Sequence, residues 1–236
     1  MKDLVLRVSS VRNETPSTRV VRVSLGGRPF AYKAGQAATI GPAHAGTRVP
    51  YSIASAPAET ERHGRLEFLI RIHADGRWGD GFEAPQRGAR LAVRGPVGRF
   101  VLPDALQDER LLFIAGGTGI APLRAIIRQA LLTRSPPPRM RLLYSARTPA
   151  DFSYATELRA MARRKQIELA LTATRESTTR WRGSRGRITS EQLRPLIDDP
   201  ATLCFVCGPA AMVDDVPVIL RQLGIARSRI RLEEWK

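Results

Sequence analysis

The chain has 236 residues, 43% of them hydrophobic and 25% charged. That is enough for two modest domains with their own cores, and no apolar run approaches the ~18 residues of a membrane span. The 38 basic residues outnumber the 22 acidic ones, for a net charge of +16. They are nearly all arginine and are spread along the chain without a basic tail or a nucleic-acid module, which argues against nucleic acid and leaves a solvated surface or a docking face for an acidic partner.

The opening MKDLVLRVSS lacks the apolar stretch and small-residue cleavage site of an export signal, so the cytoplasm is the expected compartment. Through the first hundred or so residues the chain reads as short strands punctuated by Gly, Pro, Asn and Asp: LVLRVSSV, TRVVRVSL, AATIGP, PYSIAS, RLEFLIRI and ARLAVRG. In RLEFLIRI, Leu66, Phe68, Ile70 and Ile72 share one face while Glu67 and Arg71 take the other, the pattern of a sheet packed on one side. A small antiparallel β-barrel over residues 1–104 is the expected fold of this half.

Beyond VLPDALQDER the pattern changes to buried strands alternating with amphipathic helices, so residues 105–236 read as an α/β domain. LLFIAGG, RLLYSA, IELALTAT, TLCFVCG and RIRLEEW supply a five-stranded, mostly parallel sheet. Residues 121–133 form a helix in which Leu123, Ile126, Ile127, Ala130 and Leu131 recur at helical spacing while Arg124 and Arg128 face away. RSPPPR, residues 134–139, is a surface connection. Further helices are predicted around residues 154–164 and 212–223. Pro217, which inside a helix costs about 3 kcal/mol, predicts a kink or a late start in the last of them. Cys204 and Cys207 are the only cysteines and lie in the apolar run TLCFVCG, which reads as a strand and not as a zinc or redox site. Two thiolates fall short of the set that holds an iron-sulfur cluster, so any such centre belongs to a partner.

FIAGGTGIAPL places Gly116, Gly117 and Gly119 between a strand and a helix, with Pro122 in the first helical turn. Glycine lets backbone N–H groups close on an anion and the helix N-terminus adds a favourable dipole, so the turn suits a phosphate, or simply a close packing of strand on helix. Pro122 stands where the dinucleotide fingerprint has its third glycine and no Gly-Lys-Ser/Thr follows, so neither that fingerprint nor a P-loop is satisfied.

Together with this turn, PYSIAS, GPVGRF, CGPAAM and EEW occur in an order that resembles the ferredoxin-NADP reductase family, in its short bacterial form without an iron-sulfur domain, from about Leu4 to Trp235. The resemblance implies a flavin-binding antiparallel barrel followed by a nicotinamide-nucleotide-binding α/β domain. It also implies electron transfer from NADPH or NADH through FAD, or FMN, to a separate one-electron carrier: an acidic ferredoxin, a flavodoxin or an oxygenase component. By the same resemblance Tyr51 lies against the flavin ring, Ser52 places its hydroxyl near the reactive N5, and Ile53, Ala54 and Ser55 continue the binding strand. Gly76 and Trp78 of DGRWGDGF are further implied cofactor contacts, and Gly95, Pro96 and Gly98 match the closing turn of the barrel.

In the second domain the resemblance gives the pyrophosphate to Gly117, Thr118 and Gly119, and sets Cys207, Gly208 and Pro209 where nicotinamide meets flavin. Glu233 is the implied terminal carboxylate and Trp235 the aromatic gate. Ser52, Cys207, Glu233 and Trp235 form the implied catalytic set, aligning the reacting groups without covalent intermediates. Arg147, Arg175 and the loop RWRGSRGR are the candidates for holding a 2′-phosphate, which tilts the choice toward NADPH.

Three positions depart from the family. Its Arg-x-Tyr-Ser signature would put arginine at 49, where this chain has Val49; its second anion site ends in Ser or Thr, where this chain has Gly79; and Lys236 extends past the terminal aromatic. A one-residue offset turns a strand side chain to the other face, so Arg48 is a phosphate ligand only if a bulge beside Pro50 re-aims it. A non-catalytic subunit of the same fold, with weak or lost flavin binding, is the alternative reading.

Overall fold

In the computed structural model of the chain, residues 2–103, 110–176 and 180–235 are described, residue 235 by its backbone only. The chain divides into two compact units, one of Met1–Leu102 with Arg124–Thr133 and one of Pro103–Leu123 with Arg134–Lys236. The boundary expected between residues 104 and 105 lies outside the described residues.

Alternating apolar residues build the first unit. β1 (Lys2–Thr15) and β2 (Thr18–Ser24) form a hairpin, followed by β3 (Ala37–Pro42), β4 (Val49–Ser52), a short helix α1 (Pro57–His63) and β5 (Arg65–Arg71). A small hairpin of β6 (Arg77–Trp78) and β7 (Phe82–Glu83) precedes β8 (Arg90–Val97). Six of these strands make one antiparallel sheet in the order β4-β3-β8-β1-β2-β5, and a bridge from Ile53 to Phe68 joins its two edges. This is the expected small barrel, filled by side chains such as Val21, Ile40, Ile53, Phe68, Ile70 and Val93. Gly95 lets β8 approach β3 closely, since an added Cβ would stand 3.0 Å from that of Ala38.

Helix α1 has no counterpart in the strand-and-turn reading, although its signals are local. Pro57 opens it, the Glu59 carboxylate accepts the Ala56 N–H at 3.0 Å, and Gly64 closes it in a left-handed conformation at φ 62.

On the polar face of β5, Arg71 is exposed as the alternation predicts but Glu67 is not. Glu67 is 5% exposed, because Arg22 of β2 donates to it at 2.6 Å and Arg124 lies 3.6 Å away. Arg124, in helix α2 (Ile120–Thr133), corrects a second expectation: it does not face away but is 7% exposed. Its Nη1 donates to the Ala54 carbonyl at 2.6 Å and lies 3.4 Å from Glu59, which also accepts from Arg128 at 2.7 Å. Burial pushes the Glu59 carboxyl up, but Arg124, the Ala56 N–H and Arg128 together outweigh it and hold the pKa below the usual carboxylate range. Periodicity sorts residues by polarity and does not register that arginines and glutamates from four elements neutralise one another.

The second unit is a parallel sheet. β9 (Arg110–Gly116), β10 (Arg139–Ala146), β11 (Glu168–Ala173), β12 (Ser184–Arg185), β13 (Leu203–Pro209) and β14 (Ile230–Trp235) stand in the order β12-β11-β10-β9-β13-β14. The strand beyond the five expected is β12, an edge piece paired with Thr172 and Ala173 and too short and polar to show as an apolar run. Helices α3 (Ala155–Arg163), α4 (Ser190–Leu193) and α5 (Ala210–Gln222) complete the unit. α5 runs continuously through Pro217 from Ala210, so the proline does not delay its start. Among the described residues no helix is long and apolar enough to cross a membrane.

From β9 the chain steps outward through β10 and β11 to β12, then returns to the other side of β9 as β13. The reversal makes a topological switch point at the C-terminal ends of β9 and β13, where open parallel sheets bind their ligands. The opposite ends of the strands carry an ion network. Arg141 grips Asp198 with two hydrogen bonds of 2.8 Å and Glu168 at 2.7 Å, and Arg110 reaches Asp199 at 3.0 Å. The Arg141 hydrogen bonds, more than any other influence, lower the Asp198 pKa to about 2.

Candidate functional site

At the switch point, β9 runs into a tight turn, Gly117–Gly119, and then into α2. Two of the glycines are there because neighbouring atoms leave no room for a side chain. A Cβ on Gly119 would overlap the Cys207 carbonyl, and one on Gly116 would stand 2.8 Å from the Pro209 ring and 2.9 Å from the Met212 sulfur. Gly117 answers a different need: its φ of +53 is left-handed, and an added Cβ would meet nothing within 4 Å. Its outer side is open, Thr118 is half-buried beside it, and no acidic side chain occupies the first turn of α2. A turn of this kind presents N–H groups and a positive helix end to an anion.

The structure gathers Cys207, Gly208 and Pro209 at the end of β13 directly against this turn. Parallel pairing sets Cys207 beside Glu233 and Pro209 beside Trp235. The Cys207 thiol is fully buried and lies 3.9 Å from the Glu233 carboxylate. Trp235 takes its place by backbone register, and its side chain lies outside the described residues, as does Lys236. Cys204, an odd number of residues away along the strand, faces the core, and burial pushes its thiol up to about 12, which leaves it an apolar packing residue.

Arg147 and Arg175 are brought together at the same end of the sheet. They follow β10 and β11, the Arg175 N–H donates to the Arg147 carbonyl at 2.8 Å, and both side chains are exposed.

In the first unit, Tyr51 of β4 is half-buried in a nest of aromatics. Its ring centre lies 5.6 Å from that of Trp78 at an interplanar angle of 55°, and Trp78 packs edge-on to Phe82 at 5.2 Å. Burial is the main influence raising the Tyr51 phenol to about 12, against a hydrogen bond from the Gly79 backbone that lowers it. Trp78 has no exposed surface and donates its indole N–H to the Glu83 carbonyl at 2.8 Å. It therefore backs Tyr51 from beneath, while Gly76 stands open at φ +80.

Ser52, Ile53, Ala54 and Ser55 are all buried. Ile53 points into the barrel core, and the Ser55 hydroxyl accepts from the Glu67 N–H at 3.1 Å and from Thr60 at 3.0 Å, so these two side chains are engaged within the unit. Arg48 precedes β4 and pairs with Asp3 of β1 at 3.3 Å. The structure thus brings Tyr51, Trp78 and Gly79 together and ties Arg48 to a carboxylate. Two of the three departures also meet: a Cβ on Gly79 would stand 2.8 Å from the Val49 methyl.

These donor sets fit the groups they would hold: an open glycine turn at a helix N-terminus for a pyrophosphate, and a half-buried tyrosine beside a glycine-rich hairpin for a flavin ring. Sequence reasoning missed Arg124, whose bond to Ala54 supports the strand after Tyr51; its position in a helix otherwise apolar at 120–127 was the available signal.

A family model for the oxidoreductase FAD-binding domain matches residues 5–102 and one for the oxidoreductase NAD-binding domain matches residues 113–217. Ferredoxin-NADP reductase B of Sorangium cellulosum is 30% identical over 240 residues, which are 97% of this chain and 96% of that protein. The chain belongs to the ferredoxin-NADP reductase family. This reductase is therefore an oxidoreductase with an FAD-binding and an NAD-binding domain. Another relative, the xylene/toluene monooxygenase electron transfer component XylA of Pseudomonas putida, is 30% identical over 208 residues, 86% of this chain and 57% of that one. Among solved structures, the Amycolatopsis cytochrome P450 reductase GcoB matches with a TM-score of 0.85 at 28% identity, over 99% of this reductase and 69% of GcoB. A ferredoxin NADP+ reductase from Neisseria gonorrhoeae, solved with FAD and NADP bound, shares the fold with a TM-score of 0.80 at 23% identity over 99% of each chain.

Proposed function

We propose that the chain takes electrons from NADPH, with NADH the poorer donor, and passes them through FAD to a separate one-electron carrier, a ferredoxin or an oxygenase component with an acidic docking face. The observation that carries this reading is the glycine turn packed against Cys207–Pro209 at the switch point, with Glu233 in register beside it. Flavin, when bound, supplies the ability to accept an electron pair and release it singly. The protein supplies position. Residues 1–104 hold the flavin, with Tyr51 against the ring and Ser52 at its edge; residues 105–236 hold the nucleotide, with Gly117, Thr118 and Gly119 on the pyrophosphate. Cys207 and Glu233 align the nicotinamide, and Trp235 covers the flavin until it arrives.

The net charge of +16 supports an acidic partner. The relative from Pseudomonas putida is by name an electron transfer component of a monooxygenase, which favours a carrier or oxygenase partner of that kind. Arg147 and Arg175 side by side support a 2′-phosphate. The test is the visible spectrum of the purified protein after reconstitution with FAD, before and after NADPH. Flavin bands that bleach on addition are expected. A colourless protein that rebinds no FAD would instead establish the non-catalytic subunit.

A further inference from the structure

The segment 180–187, RWRGSRGR, carries Arg180, Arg182, Arg185 and Arg187 within eight residues, all of them exposed. Like charges at that density repel and loosen a loop, yet this one is pinned on two sides. On one side Ser184 and Arg185 pair with the end of β11, the Thr172 hydroxyl donates to the Gly186 carbonyl at 2.9 Å, and the Gly186 N–H donates to the Ala173 carbonyl at 3.1 Å. On the other side stands Trp181. Its indole lies flat on Phe152, with ring centres 5.5 Å apart and planes 14° from parallel, and its N–H donates to the Ser184 carbonyl at 2.8 Å.

The stack continues inward. Phe152 meets Tyr144 edge-on at 5.0 Å. The Tyr144 hydroxyl accepts from the Ser153 N–H at 3.1 Å and donates to the Gly117 carbonyl at 2.9 Å. An aromatic column thus runs from the arginine loop to the residue that opens the nucleotide turn. Gly183 shows how closely the loop is held, since a Cβ there would stand 2.6 Å from the Leu171 carbonyl and overlap the Trp181 ring.

We propose that Trp181 is a positioning residue that holds the arginine loop at the nucleotide-binding end of the sheet, and so sets the preference for a nucleotide carrying a 2′-phosphate. The inference rests on the reading that this unit takes NADPH. Trp181 acts through its neighbours: the column couples the arginine loop to the turn at Gly117, and a 2′-phosphate and a pyrophosphate belong to one nucleotide. A cation placed for that phosphate helps only the phosphorylated cofactor.

The test uses the flavin-loaded protein and two probes that undergo no reaction and differ only in the 2′-phosphate, adenosine 2′,5′-bisphosphate and 5′-AMP, titrated calorimetrically. The wild type is expected to favour the 2′-phosphorylated probe. Trp181→Ala should weaken that probe by about tenfold or more while moving 5′-AMP by less than about threefold. Trp181→Phe, which keeps the stack, should stay close to wild type, and Gly183→Ala, which pushes the loop off the indole by another route, should reproduce the alanine variant. In steady state the loss should appear in KM for NADPH more than in kcat. A Trp181→Ala protein that keeps its preference, or that weakens both probes equally, overturns the proposal and leaves the NADPH reading standing. A wild type without preference for the 2′-phosphate overturns the NADPH reading itself, and the proposal with it.

Discussion

Replacing Arg124 by leucine keeps much of the apolar stem and removes the guanidinium that donates to the Ala54 carbonyl at 2.6 Å and sits 3.4 and 3.6 Å from Glu59 and Glu67. The carbonyl loses a charged donor, a change of about 1.5–3 kcal/mol. Each carboxylate keeps a second arginine, Arg128 at 2.7 Å and Arg22 at 2.6 Å, so the cost stays near the lower end of the ~3–5 kcal/mol typical of breaking a buried pair. We expect about 3 kcal/mol at pH 7, or a fall in Tm of about 6–12 °C for a chain of this size. The pH dependence follows from Glu59, whose folded pKa is depressed. Its contribution is present above the unfolded carboxylate pKa and is lost as the pH falls through the folded one, so the gap between variant and wild type should narrow from pH 7 toward about pH 3. Urea unfolding followed by tryptophan fluorescence at both pH values measures it. A loss below about 1 kcal/mol, or a gap that does not change with pH, would refute the electrostatic account.

In the second unit, Asp198→Asn should destabilise by only about 0.5–1 kcal/mol near neutral pH, because its side chain is 36% exposed and solvent screens the pair. With the folded pKa lowered to about 2, that contribution holds above the unfolded value and disappears as the pH falls through about 2; a difference that persists at pH 2 in thermal melts would contradict it. Gly79→Ser does not restore the family's anion site. It places a side chain at φ +56 and a Cβ 2.8 Å from Val49, so a loss of about 1–2 kcal/mol with no gain in FAD affinity is expected. Pairing it with Val49→Ala should recover part of the loss, and additive effects in a double-mutant cycle would show the two positions to be independent.

The barrel and the parallel sheet were legible because each follows from a run of residues sorted by polarity. RLEFLIRI alternates, residues 121–133 recur at helical spacing, and FIAGGTGIAPL interrupts one pattern to start another. Features that depend on a distant partner were not legible. Glu67 looked solvated because its neutralising arginines come from β2 and α2. Trp78 looked like a cofactor contact because an aromatic in a glycine-rich hairpin suits that role equally well, whereas here its whole surface is covered and Tyr51 rests on it. The cluster Cys207, Glu233 and Gly119 was implied by a family resemblance and not by spacing, since β13 and β14 are joined by a full helix and meet only through sheet order.

The ion network around Arg141 has a consequence for how such a sheet can change. It ties β9, β10 and β11 to the Asp198–Asp199 connection at their starting ends, a strand's length away from the glycine turn and the rim that carries Arg147 and Arg175. The ion pairs that lock the strands and the site proposed to select the cofactor are thereby housed at opposite ends of the same strands. Under the proposed function, exchanges among Arg147, Arg175 and the loop would redirect cofactor choice without drawing on the interactions that keep the strands in register, so this reductase offers a rim that can be rewritten over a foot that stays locked.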